Sequence, residues 1–133
     1  MDKLIIPTIG VLVIKDKKVL LVRHGLKADH IDGKIGLPAG RPIVGESEVD
    51  AACRELLEET GLSVRPGDLT KLPITWYADI ERKDGTKTFS LVVFAGQLQG
   101  NEEAQPMWVD IRELDAYDLL PNVRDIIDEG LKL

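Results

Sequence analysis

Apolar, β-branched residues dominate Ile5 to Ile14, with Ile9, Val11 and Val13 on one face, and the pattern predicts a strand. Asp16-Lys17-Lys18 breaks the run with a polar turn before Val19-Leu20-Leu21-Val22, so a hairpin is predicted. From Arg23 to Gly36 the pattern dissolves into polar residues and glycines, the composition of a surface loop. Leu37-Pro38-Ala39-Gly40 follows, and a second loop runs to Gly45.

Glu46 to Thr60 carries the clearest helical period of the chain. Ser47 is placed to cap its start with Asp50 as capping-box partner, and Gly61 stands where a left-handed residue ends a helix. Val49, Ala52, Cys53, Leu56 and Leu57 recur at three- and four-residue spacing and predict the buried stripe. Strands are then predicted over Leu69 to Leu72 and Ile74 to Glu81, a turn at Asp84-Gly85, and a central strand over Thr88 to Leu98. Trp108-Val109 reads as a short strand and Ile111 to Leu120 as a short helix or turn. Pro121 fits the first turn of a C-terminal helix reaching about Gly130. No repeat or linker interrupts this order, which predicts one mixed α/β domain over residues 1–133.

Chemistry concentrates on the first helix. At about 100° per residue, Glu55, Glu58 and Glu59 fall within an arc of roughly 100°, away from the apolar stripe. Like charges at this spacing cost a few tenths of a kcal/mol per pair. They also sit at the helix C-terminus, where the dipole disfavours them by about 0.3–1 kcal/mol each. No lysine lies on the helix, and Arg54 is its one basic residue. A hard divalent cation such as Mg2+ would offset the repulsion, because it prefers carboxylate oxygens. An acidic face is more often simply solvated, but this one is placed where solvation alone leaves it unfavourable.

Composition narrows the partner. The net charge of −6 leaves no basic face for a nucleic acid, whereas a small anionic substrate needs only a metal ion and a few local cations. The single cysteine, Cys53, cannot form an internal disulfide and falls on the apolar stripe as a core residue. No apolar run has membrane-spanning length and the N-terminus turns polar too early for a secretory signal, so a cytoplasmic protein with no membrane partner is expected. His24 and His30, six apart in the first loop, do not have metal-site spacing and read as solvated or substrate-facing. No P-loop motif is present.

The window Gly40, Glu46, Arg54-Glu55-Leu56-Leu57-Glu58-Glu59-Thr60-Gly61-Leu62 resembles the Nudix box and fills each of its specified positions. At average residue usage its seven fixed identities would coincide by chance at roughly one in 10^8 start positions. The resemblance implies an α/β/α sandwich with a central mixed β-sheet and a Mg2+-dependent hydrolase of diphosphate linkages, with Mn2+ as a substitute ion. It implies that Glu55, Glu58 and Glu59 bind metal and supply the base, with Glu55 the leading candidate for the base. It implies that Glu46 and Arg54 support the helix and loop as a pair, and that Gly40 and Gly61 supply backbone freedom. Ala39 replaces a glycine of the family's Pro-Gly-Gly approach, and its carbonyl matches a group offered to the metal.

A looser similarity reaches the MutT branch, which acts on nucleoside triphosphates, oxidised ones included. Glu103-Ala104-Gln105-Pro106 resembles a segment whose glutamate is a further metal ligand there. The same similarity makes Arg23, Arg41 and Asn122 candidate substrate-binding residues, although asparagine at a helix start is also a common cap. Two other substrate classes stay open: dinucleoside polyphosphates, on Tyr77 downstream of the box, and ADP-ribose or nucleotide sugars, on Pro73. A non-catalytic nucleotide-binding domain is a further alternative, disfavoured because all three glutamates are retained. Relatives of this kind often form homodimers.

Overall fold

The computed structural model describes residues 4–24, 34–82, 85–96 and 107–133. Strand β1 (Ile5–Lys15) turns into β2 (Lys18–Arg23), as the polar interruption predicts. Asp16 and Lys17 both take positive φ, 52° and 64°, the two-residue turn whose twist suits a hairpin. Two short strands, β3 (Ile35–Gly36) and β4 (Ala39–Gly40), precede helix α1 (Glu48–Thr60). A 3-10 turn at Pro66–Asp68 leads into β5 (Leu69–Arg82) and β6 (Gly85–Gly96). Strand β7 (Met107–Asp110), a 3-10 segment (Ile111–Ala116) and helix α2 (Val123–Gly130) complete the described chain.

The sheet is mixed, in the order β3-β2-β1-β6-β5, with β4 added to β1 and β7 to β2. Strands β1 and β6 run parallel from Ile5 opposite Thr88 to Val13 opposite Gly96, while the other pairs are antiparallel. The two strands predicted on either side of Pro73 are one strand, β5, whose register against β6 slips between Lys71 and Thr75. Proline lacks the N–H that a continuous ladder needs, so the irregularity falls around it.

Alternation along β1 divides the core into two layers. Ile9, Val11 and Val13 pack with Ala51, Ala52 and Leu56 of α1, while Leu12 packs on the opposite face with Val123, Ile126 and Ile127 of α2. Each fully buried Leu or Ile contributes about 1.5–3 kcal/mol. This is the α/β/α sandwich expected. Gly130 ends α2 directly against Leu12, where a Cβ would overlap its side chain. Among the described residues no helix is long and apolar enough to cross a membrane.

Helix α1 corrects the predicted stripe. It begins at Glu48, Ser47 Oγ accepts from Asp50 N at 3.2 Å, and Gly61 (φ 77°) donates its N–H to Leu57 O. Its buried residues are Ala51, Ala52, Glu55, Leu56 and Thr60, whereas Leu57 is exposed and Cys53 half-buried. Two adjacent alanines let the helix axis approach β1, and that rotation carries Glu55 toward the sheet and Leu57 outward. Periodicity alone weights Leu above Ala and so places the stripe one residue too far round.

Candidate active site

The loop before α1 is built around Arg54. Its Nε and Nη2 donate to the two oxygens of Glu46 at 2.9 and 3.0 Å, and Nη2 also reaches the carbonyl of Arg41 at 3.0 Å. Glu46 lies outside the helix and accepts from Ile43 N at 3.0 Å, which fixes the loop against the helix. The hydrogen bonds from Arg54, and then the one from Ile43, hold the Glu46 carboxyl below the usual carboxylate range. The same bonds, those to Glu46 foremost, raise the guanidinium above its ordinary value. Bidentate geometry of this kind gives a planar fork a defined orientation as well as binding energy.

The third nitrogen of Arg54 faces the other glutamates. Its Nη1 donates to Glu55 Oε1 at 2.9 Å and to Glu58 Oε2 at 3.1 Å. One cation therefore serves three carboxylates and is fully satisfied doing so. Glu55 is buried, 7% exposed, and its carboxylate lies directly against the backbone of Gly40. Gly40 was expected to supply backbone freedom, but the position instead demands space: a Cβ there would overlap the Glu55 carboxylate. Backbone freedom is the requirement at Gly61, which does sit in the left-handed region.

Glu59 lies close to this pair and lines the cleft. Its Oε2 accepts from Ala39 N at 3.1 Å, which ties the end of α1 to β4. Its pKa is pushed up to about 8, first by loss of hydration and then by the nearby Glu55 and Glu58 carboxylates, against the lowering effect of the Ala39 N–H. The residue is exposed to solvent, which moderates the loss of hydration. The neighbouring charges act in the same direction, and a shift of this size in a cleft carboxylate is a common mark of function.

Glu59, Ala39, Gly40 and Arg41 form one end of a cleft of about 480 Å3, in the size range of small-molecule sites. The exposed Arg41 side chain faces it with no ion pair among the described residues. The cleft then runs over the α2 face of the sheet, floored by Trp76, Phe89 and Leu91 and walled by Leu120 to Val123. One end is thus charged and the rest mainly apolar, with Lys87, Asn122, Thr8 and His24 among its polar groups.

Asn122 is at the start of α2, but its side chain makes no capping bond; Nδ2 donates to the carbonyl of Tyr77 at 3.1 Å. Arg23 ends β2 opposite Ile35 and does not line the cleft, whereas its neighbour His24 does, with Nε2 2.7 Å from Leu37 O. The predicted Glu103 and His30 lie outside the described residues. Sequence reasoning missed the floor. The available signal was the alternation of Trp76, Ala78 and Ile80 on β5 with Lys87, Phe89 and Leu91 on β6, which shows one strand face after the register is known.

The donor set suits a hard cation: carboxylate oxygens from three residues one helical turn apart, beside a backbone segment. Among the described residues no three acidic, histidine or cysteine side chains converge on one point, and Glu55 and Glu58 each give an oxygen to Arg54. Each of these carboxylates has a second oxygen, and Glu58 is exposed enough to turn. The chemistry therefore fits a divalent ion.

A NUDIX domain model matches residues 5–129. The chain belongs to the Nudix hydrolase family. A nudix hydrolase of Caenorhabditis elegans is 30% identical over 118 residues, covering 84% of this chain but 30% of its own length, so the chain spans less than a third of that relative. A Nudix hydrolase structure from Nitrosomonas europaea is 26% identical with a TM-score of 0.72, covering 97% of this chain and 90% of the other. A MutT Nudix hydrolase structure from Burkholderia pseudomallei has a TM-score of 0.76 at 21% identity, covering 96% and 98%, and shows the shared fold.

Proposed function

We propose that this Nudix domain is a Mg2+-dependent pyrophosphohydrolase that cleaves a diphosphate linkage in a nucleoside triphosphate or related nucleotide derivative. The observation that carries the reading is the continuity of the cleft: a carboxylate and cationic end at Glu59, Ala39, Gly40 and Arg41 opens into an apolar hollow over Trp76 and Phe89. A nucleotide has the same division, anionic at one end and flat and apolar at the other. MutT-type chemistry is the leading version, and Asn122 in the cleft wall supports it.

In this reading Glu58 and Glu59 would hold the metal with the backbone at Ala39, and the resemblance offers Glu103, outside the described residues, as a further ligand. Bound Mg2+ neutralises phosphate charge and lowers the pKa of a coordinated water. Arg41, which lines the cleft, takes the phosphate charge that the ion leaves unpaired. Glu55, held in place by Arg54 and by the space over Gly40, accepts the proton of the attacking water. Mn2+ would substitute with the same oxygen donors.

Glu55→Gln tests that last assignment. The amide keeps the size and can still accept from Arg54, so Mg2+ affinity stays within a few-fold while turnover falls by about 10^2 to 10^4. Near-normal turnover would pass the base role to another carboxylate. A bulkier dinucleoside polyphosphate is the second reading, and the observation in its favour is Tyr77, which lines the cleft with much of its surface exposed.

A further inference from the structure

The far end of the cleft holds a charge that its apolar floor does not require. Along the face of β6 that bears Val93, Leu91 and Phe89, the next residue is Lys87. Val93 pairs with Gly10 of β1, and Gly10 pairs with Ala39 of β4, so this row starts at the end marked by Ala39 and Glu59. Three steps of two residues, each about 6.6 Å, put Lys87 about 20 Å along the floor from that end. Lys87 lines the cleft there, half-buried, next to Phe89 and opposite Ile80 of β5. Lysine is mostly exposed in folded chains, so one that lines an apolar cleft half-buried stands out.

Away from the charged end, the other polar side chains of the cleft have donors committed within the fold. Thr8 Oγ1 donates to Ser90 O, and Asn122 Nδ2 gives one N–H to Tyr77 O. His24 Nε2 faces a carbonyl that can only accept, so it donates to Leu37 O at 2.7 Å. Glu59 is the one carboxylate among the described residues that line the cleft, and it stands at the opposite end. Lys87 also interacts within the fold, but an ammonium has three N–H donors and can serve a ligand acceptor as well. Being charged, it is the strongest donor at the apolar end.

A phosphate at that position would need several donors, and Ile80 and Phe89 offer none. A single ammonium beside an apolar floor instead suits one neutral acceptor on a flat ring. With the diphosphate at the glutamate end, the part of a nucleotide that reaches toward Lys87 is the edge of the base, and the four-carbon stem lets the ammonium lean back to it. We infer that Lys87 is a specificity-determining residue that donates to a keto oxygen on that edge, so that bases of guanine, hypoxanthine or uracil type are taken over adenine and cytosine. The inference rests on the proposed function for the ligand and for its direction in the cleft. Lysine is a recurrent partner of the guanine O6 acceptor. An exocyclic amino group in the same place would set N–H against N–H and leave both without an acceptor.

Matched pairs isolate this exchange, because inosine and adenosine, like uridine and cytidine, differ where a keto oxygen replaces an amino group. The probes are the α,β-methylene triphosphates of the four nucleosides, titrated calorimetrically onto the protein with Mg2+. The parent binds the keto member of each pair about tenfold more tightly, or better. Lys87→Met keeps the length of the stem and removes the donors, and it brings each pair to within about twofold by weakening the keto member alone; Lys87→Arg keeps the preference. Equal affinities within both pairs in the parent would overturn the inference, whatever either variant does. So would a preference that survives Lys87→Met, or an equal loss for all four probes, which would mark Lys87 as a contact for phosphate. Binding of none of the four by the parent would overturn the proposed triphosphate substrate itself, and the inference with it.

Discussion

Glu59→Gln loses about a thousandfold in turnover at saturating Mg2+, equivalent to ~4 kcal/mol of transition-state stabilisation, and keeps its fold. Glu59 is the glutamate of the three that lines the cleft, so in the proposed reading it is the one set against the phosphate chain. Glutamine can still accept from Ala39 N through its carbonyl, so the tie between α1 and β4 survives. What is lost is the charge. With EDTA present, that charge opposes folding: the folded-state pKa of about 8 lies above the ordinary carboxyl value of 4.5, so the native state binds more protons than the unfolded state between them. The contribution of Glu59 to the parent's stability therefore falls as pH rises from about 4.5 through about 8. The Gln variant lacks this slope. Thermal melts in EDTA at pH 5 and pH 8 check it: the variant should match or exceed the parent at pH 8, and a parent that gains stability relative to it would contradict the assignment. Added Mg2+ reverses the order by stabilising the parent alone.

Gly40→Ala is the substitution with the largest expected structural effect for its size. One methyl group would overlap the carboxylate of Glu55, which is buried and held by Arg54. Neither side yields cheaply. Moving the carboxylate breaks the bond to Arg54 and disturbs a guanidinium whose other donors fix Glu46 and the Arg41 carbonyl. Moving the backbone displaces β4 from its pairing with Ile9 of β1. A loss of about 2–3 kcal/mol in unfolding free energy is expected, together with a loss of turnover of more than tenfold. Denaturant melts read the first and initial rates the second. A fully active variant of unchanged stability would mean that Glu55 does not need the position it holds.

The same two residues show how far the chain could be read unaided. The helical period identified the glutamate helix, its Ser47 cap and its glycine stop, because each depends on neighbours within a few residues, while the Arg54–Glu46 support was implied by the resemblance to the Nudix box. The hairpin at Asp16-Lys17 was legible for the same reason. What Gly40 is for was not legible, since the need for space arises only when a carboxylate fifteen positions later folds back over it. The cleft floor was hidden too. Trp76 and Phe89 read as strand residues, and they are, but pairing of β5 with β6 is needed before their faces can be matched. Asn122 read as a cap or a purine contact, and its bond to Tyr77 depends on a contact 45 residues back along the chain. Leu57 was misplaced because hydrophobicity outweighed size, whereas close approach of a helix to β1 selects alanine.

Metal-dependent cleavage by the α1 glutamates is tested most directly by 31P NMR of the products formed from one panel of substrates. The panel holds nucleoside triphosphates (oxidised purines included), dinucleoside polyphosphates and nucleotide sugars, each incubated with Mg2+, with EDTA and with the Glu58→Gln variant. The expected result is cleavage of a diphosphate linkage in one substrate class with Mg2+, abolished by EDTA and reduced at least a hundredfold by Glu58→Gln. Turnover that survives EDTA, or nucleotide binding with no turnover of any substrate, would contradict it.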